Sequence, residues 1–266
     1  MRKIFFFLIL LFVSSQYFIA SVNASSSQAY QDYRFQFEQY RQKLTDYRVA
    51  YNQYKQFNSL TSQADALEKI KIALAQRNQV SKTYYLFLNE KINENPGVVS
   101  ADAALYRSLM TNHIGFLDQN TLQTATINTL SDAATISTLY VKNYNSMQSI
   151  YRQTIVGVQL GYLQYFVLQF DTAAIHAQSL IAASKGDATP EKQATLDRWL
   201  LALSNKHSLF EQKNLTIRNA MAKLTGDVQE QDRQFAAIQT LINKQKQDLI
   251  EGASYLGELE QALQYE

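Results

Sequence analysis

Cysteine is absent from the 266 residues, and proline and glycine are scarce, with 2 and 8 residues respectively. Without cysteine the chain has no disulfide bond, no thiolate ligand for a metal and no cysteine nucleophile. Average proteins contain about 7% glycine and 5% proline, and these residues form many of the turns that sandwiches, barrels and doubly wound sheets require. Their scarcity predicts an all-α fold of long helices, arranged as antiparallel hairpins or a helical bundle with extended coiled-coil segments.

An excess of one charge is also missing. Lys and Arg number 25 and Asp and Glu number 23, and Arg2 and Lys3 are the only charged residues among the first 24, so the rest of the chain carries 23 of each sign. Because phosphate binding requires a basic surface, we expect no nucleic-acid partner. The hydrophobic fraction of 46% is too high for intrinsic disorder.

Residues 1–24 have the pattern of a secretory signal peptide. A basic pair precedes an apolar run, and the small residues Val22 and Ala24 precede Ser25. This pattern predicts cleavage before Ser25 and a secreted, periplasmic or cell-envelope location. The alternative is an uncleaved membrane anchor, because residues 17–20 extend the apolar run towards the roughly 20 residues that span a bilayer. We expect membrane contact only through this segment, and only if it is retained.

The first part of the mature chain, residues 25–95, is predicted to form an antiparallel hairpin. A coiled-coil helix over residues 29–57 is followed by a second helix over 62–94, for which Ser62 is the expected N-cap. One stripe of the first helix, here called the aromatic seam, repeats at steps of three and four and contains Tyr30, Tyr33, Phe37, Tyr40, Leu44, Tyr47, Tyr51 and Tyr54. Packing of the seam against the second helix is favoured over a recognition surface for a peptide or a glycan.

Residues 96–186 are predicted to form central helices, with a bend in the Thr-rich stretch 120–129 and Gly186 as a left-handed C-cap. The C-terminal part, residues 187–266, begins with Thr189 as an N-cap before a proline. Its heptad pattern runs without a slip from Leu196 to Leu263, which favours one long coiled-coil helix. A hairpin turn at Gly226 is the alternative.

No residue set indicates catalysis, cofactor binding or a metal. The three histidines, His113, His176 and His207, lack a partner at metal-ligand spacing. His207 and Asn214 lie at core positions of the C-terminal heptad pattern, which favours a role in fixing helix register. The hydrophobic segment around residues 151–170 contains Gly157-x-x-x-Gly161 and is predicted to be a buried bundle helix.

The sequence therefore predicts a structural or protein-interaction protein that is not an enzyme. We expect a protein partner or self-association, no small-molecule ligand and no cofactor. One alternative is a membrane-active helical protein of the pore-forming type that uses residues 151–170. Another alternative, an uncharacterised enzyme, has less support.

Overall fold

The computed structural model describes residues 2–184 and 189–264, with side chains for residues 25–183 and 189–261. The described structure is 92% helical, and no strand occurs in the described ranges. The all-α prediction is confirmed. The described ranges contain six helices: α1 (Arg2–Phe57), α2 (Leu60–Asn93), α3 (Ser100–Ala125), α4 (Leu130–Ser184), α5 (Pro190–Ala222) and α6 (Val228–Gln264).

The start of α2 differs from the expectation that Ser62 is its N-cap. Ser59 is the N-cap, because its Oγ accepts a hydrogen bond from the Ser62 N–H at 3.2 Å and Ser62 Oγ accepts one from the Ser59 N–H at 3.2 Å. Two serines thus form a reciprocal capping box, in which Ser62 takes the position more often held by Glu or Gln.

The start of α5 agrees with the sequence. Thr189 is the N-cap, and its Oγ accepts from the Lys192 N–H at 3.3 Å, with Pro190 in the first turn. The expected bend in residues 120–129 is a break between α3 and α4. The predicted C-cap at Gly186 lies outside the described residues.

The chain divides into two compact units, of which unit 1 comprises Met1–Glu94 and Ala103–Tyr151. Contacts between α1 and α2 run in opposite order along the two helices, from Ser26 with Glu94 to Gln36 with Gln76. The α2–α3 and α3–α4 pairs are antiparallel as well. One hydrophobic cluster of unit 1 contains Ile70, Leu74, Ile127, Ala133 and Ile136.

Unit 2 comprises Asn95–Asp102 and Arg152–Glu266. Within unit 2, α5 runs antiparallel to both α4 and α6. Helices α4 and α6 run parallel to each other, and Gln159 of α4 contacts Gln239 of α6. Its larger core cluster contains Val156, Leu160, Leu163, Val167, Phe210, Ile217, Leu224, Ile238 and Ile242. Unit 2 is thus a three-helix bundle, and a smaller cluster contains Phe170, Ile181, Leu196, Leu203 and Leu259.

The preference for one long C-terminal helix is wrong, and the hairpin alternative is right. α5 ends at Ala222, α6 begins at Val228, and Gly226 has φ +95. Asp227 is the N-cap of α6, since its Oδ1 accepts from the Glu230 N–H at 2.8 Å. The connection happens to preserve the spacing of three and four, so the heptad pattern passes through the turn unchanged.

Replacing Gly226 with alanine should therefore destabilise the chain, by about 1–2 kcal/mol, because L residues are strained in the left-handed region. No atom blocks the added Cβ, whose nearest neighbour is Glu230 Cγ at 3.5 Å, so the loss would come from backbone strain. Urea unfolding followed by circular dichroism measures it. A Gly226→Asn variant should lose less, because Asn tolerates this conformation better. Equal or greater stability of the alanine variant would contradict the turn.

Candidate functional site

The aromatic seam of α1 faces α2 through ring contacts. The ring centroids of Tyr30 and Phe87 are 5.3 Å apart, and those of Tyr33 and Tyr84 are 5.0 Å apart. Neighbouring rings along α1 also touch, as between Tyr33 and Phe37 at 6.2 Å. The seam therefore packs against the second helix, as the sequence predicts.

This packing leaves the seam half uncovered. None of its eight residues is buried, and Tyr30 and Phe37 are 45% and 40% exposed. Among residues 25–57 of α1 only Ser26 and Ala50 are buried. Large rings that lie against one helix and remain open on the other side provide contact area for a second partner.

Other exposed apolar side chains of α1 and α2 lie outside the seam. Phe35, Val49 and Phe57 of α1 are more exposed than any seam residue, and Leu60 at the start of α2 is also exposed. Spacing alone predicts which side of a helix is apolar but not how much of it a neighbour covers. The sequence therefore did not predict how exposed these side chains are.

Unit 1 also contains a buried polar and aromatic cluster that the sequence did not indicate. The guanidinium of Arg77 lies over the ring of Tyr140 at 3.7 Å, and Tyr140 Oη lies 2.9 Å from Ser81 Oγ. The Tyr151 hydroxyl donates to the Ser81 carbonyl at 3.4 Å, and the rings of Tyr85 and Tyr151 are 4.6 Å apart. Burial lowers the pKa of Arg77 and raises those of the three tyrosines.

A second buried polar contact joins α2, α3 and α4. Asn78 Nδ2 donates to Asn120 Oδ1 at 3.0 Å and to Thr121 Oγ1 at 3.1 Å, and Asn120 Nδ2 donates to the Ile136 carbonyl at 3.4 Å. Polar pairs inside a helical bundle restrict the register in which the helices can pack. This contact and the Arg77 cluster have a structural explanation.

The three histidines have different surroundings. The ring of His113 stacks on Tyr85 at 6.2 Å, and burial lowers its pKa. His176 is exposed, and His207 Nδ1 lies 2.8 Å from Asp171 Oδ1. The described residues contain no group of three or more His, Cys, Asp or Glu side chains arranged to hold a metal.

His207 lies at the edge of a narrow cleft in unit 2 that also contains Lys206 and Asp248. Lys206 Nζ pairs with Glu251 Oε2 at 2.5 Å and lies 3.7 Å from Asp248 Oδ1, while Lys213 also binds Asp248. The charged groups of the cleft are thus paired with one another. Asn214 Nδ2 donates to Gln164 Oε1 of α4 at 3.4 Å. This contact agrees with a role of the polar residues in the C-terminal heptad pattern in fixing helix register.

Most of the hydrophobic segment is buried in unit 2, although Phe166 and Leu168 near its end are exposed. Val156, Leu160, Leu163 and Val167 belong to the core cluster. Gly161 lies beside the loop before α3, where a Cβ would come within 2.4 Å of Val98 Cγ2. The prediction of a buried bundle helix is therefore confirmed. Over the part of the chain that the structure describes, no helix is both long and apolar enough to cross a membrane.

The aromatic seam is thus a row of large side chains that α2 covers only in part. Comparison with other proteins adds no functional assignment. No protein family, curated protein or solved structure matches this chain.

Proposed function

We propose that this chain is an exported structural or interaction protein of the cell envelope or extracellular space, and that the aromatic seam of α1 is its contact surface for a protein partner or a second copy of the chain. One observation carries the proposal: none of the eight seam residues is buried within unit 1. The export part rests on the signal pattern of residues 1–24.

The chemistry of the seam supports protein contact. Tyrosine has an apolar ring and a polar hydroxyl, so a half-exposed row of tyrosines is tolerated in water and can be covered by a partner with little loss of side-chain entropy. Its spacing of three and four matches a helical ligand that packs in coiled-coil fashion. The charged groups of the cleft in unit 2, in contrast, are paired with one another.

Phe37→Ala tests the proposal, because Phe37 is an exposed seam ring. The matched control is Phe166→Ala, which removes an equally large exposed ring from unit 2. Truncation of a ring at the centre of an interface costs about 1–3 kcal/mol, so we expect roughly a tenfold or larger loss of binding for Phe37→Ala and little change for Phe166→Ala.

Two measurements are needed, since the partner is either another protein or a second copy. Sedimentation of the purified chain reports self-association, and quantitative pull-down from native envelope reports a foreign partner. Equal behaviour of the two variants in both measurements would contradict the proposal. Dye release from lipid vesicles by the wild-type chain would favour the membrane-active alternative instead.

A further inference from the structure

The start of the predicted mature chain lies against two carboxylates at the end of α2. The backbone N–H of Ser26 donates to Glu94 Oε1 at 2.7 Å, and the hydroxyl of Ser25 donates to Glu90 Oε2 at 2.9 Å. Ser26 is only 1% exposed. The first two residues after the predicted cleavage site are therefore held in unit 1.

One carboxylate oxygen of Glu94 has no hydrogen-bond donor. The side chain of Glu94 is 6% exposed, and its Oε2 is buried without a hydrogen-bond partner. Lys91 Nζ lies 3.8 Å from that oxygen, which is close enough for charge attraction but too far for a hydrogen bond. A buried carboxylate oxygen without a donor is costly, so a missing donor is expected here.

We propose that Glu94, assisted by Glu90, is the docking site for the α-ammonium group of Ser25 that cleavage of the signal segment releases. The proposal rests on the export step of the proposed function. Hydrolysis of the bond between Ala24 and Ser25 consumes one water, leaves a carboxylate on Ala24 and gives Ser25 a primary amine, which is protonated near neutral pH.

The new amine has the properties that the site lacks. It supplies three N–H donors, and it lies one residue before the nitrogen that already binds Glu94 Oε1. Consecutive Cα atoms are only about 3.8 Å apart, so the amine is within reach of Glu94 Oε2 without a change of the fold. The charges also match, because Glu90 and Glu94 together exceed Lys91 by one negative charge.

Cleavage would also create a helix start that needs these carboxylates. The first N–H groups of a helix have no partner inside it, and the positive end of the helix dipole disfavours an ammonium group. Two carboxylates beside this end compensate both effects. Asn93, which donates to Glu90 Oε2 at 3.3 Å and accepts from Arg107 Nη2 of α3 at 2.6 Å, links the site to α3.

The test uses the chain beginning at Ser25, released from a fusion tag, with its amine either free or acetylated. We expect the free form to melt about 3 °C higher, which corresponds to roughly 1 kcal/mol for a chain of this size. In Glu94→Gln this difference should disappear, although the amide oxygen still accepts from Ser26. The matched control is Glu68→Gln, an exposed position on the same helix, which should keep the difference.

Reactivity of the amine gives a second readout that a purely structural role of Glu94 would not change. Docking raises the pKa of the amine and covers it, so an amine-reactive reagent at pH 7 should label Ser25 several-fold more slowly in wild type than in Glu94→Gln. Equal labelling rates and an equal effect of acetylation in both chains would overturn the docking.

Mass spectrometry of the exported chain tests the processing step separately. A mature N-terminus at Ser25 supports the proposal. A different N-terminus would overturn it at the cleavage step, even if the engineered chain shows docking. Failure of docking in a chain correctly cut before Ser25 would leave the proposed interaction function unaffected, since that function depends on the seam.

Discussion

Gly97→Ala should destabilise unit 2 by about 3 kcal/mol or more, because the added methyl group has no space. A Cβ on Gly97 would lie 1.8 Å from the carbonyl oxygen of Gly161 and 2.8 Å from the backbone nitrogen of Tyr165. Both neighbours are backbone atoms of α4, which cannot move aside by a change of rotamer. The loop before α3 would have to leave its place on α4.

That displacement would also break polar contacts of the loop. Asn95 Nδ2 donates to the Val158 carbonyl at 2.6 Å, Asn95 Oδ1 accepts from the Gly97 N–H at 3.0 Å, and Asp102 Oδ2 pairs with Arg218 Nη1 at 2.9 Å. Losing buried hydrogen bonds adds to the steric cost.

The matched control is Gly257→Ala in α6, where an added Cβ meets nothing within 4 Å. This variant should gain up to about 1 kcal/mol, since glycine is unfavourable inside a helix. Thermal unfolding by calorimetry measures both variants. Similar melting temperatures for the two would show that the loop does not approach α4 as closely as described.

The second large effect is a loss of stability in alkaline solution, caused by the buried tyrosines of unit 1. Burial raises the pKa values of Tyr85, Tyr140 and Tyr151 above the ordinary value of about 10, and for Tyr151 its neighbours Tyr85 and Tyr140 add to the shift. The hydrogen bond from Ser81 and the nearby charge of Arg77 act in the opposite direction on Tyr140.

The direction of the pH effect follows from proton binding. Above pH 10 the unfolded chain loses protons from these phenols, whereas the folded chain keeps them, so the folded state binds more protons and its stability falls as pH rises. Each such group contributes about 1.4 kcal/mol per pH unit between its unfolded and folded pKa values. We therefore expect the midpoint of urea unfolding to drop steeply between about pH 10 and 12.

A Tyr85→Phe, Tyr151→Phe double variant keeps both rings and removes two of the ionisable groups. Its stability should fall roughly one third as steeply over this range if the three phenols contribute equally. The matched control is Tyr54→Phe on the half-exposed seam, which should behave like wild type. An unchanged slope in the double variant would mean that these phenols do not control alkaline unfolding.

The helices and most of their ends follow from local rules that the sequence displays. Apolar residues at steps of three and four predict the helices, and the Thr189-Pro190 pair predicts the start of α5. The Gly226 turn was predicted less well, because two patterns conflicted. The heptad continues from Leu224 to Val228 across the turn, and only the glycine between Thr225 and Asp227 indicates the break.

The buried polar groups were not predictable in the same way. α2 contacts α1, α3 and α4, so Asn78 and Ser81 become buried and Arg77 half-buried, although no apolar stripe contains them. Similarly, Tyr85 belongs to the core, whereas its neighbour Tyr84 lies at the α1 interface. Such distinctions depend on the number of neighbours around a helix, which the pattern of a single helix does not contain.

The short connection between α5 and α6 also bears on how quickly the chain folds. Only residues 223–227 separate the two helices, so bringing them together closes a small loop and costs little chain entropy. Contacts between segments close in sequence form sooner than distant ones. The C-terminal hairpin can therefore assemble early and present the apolar side of α5 and α6 as a preformed surface on which α4 completes the bundle.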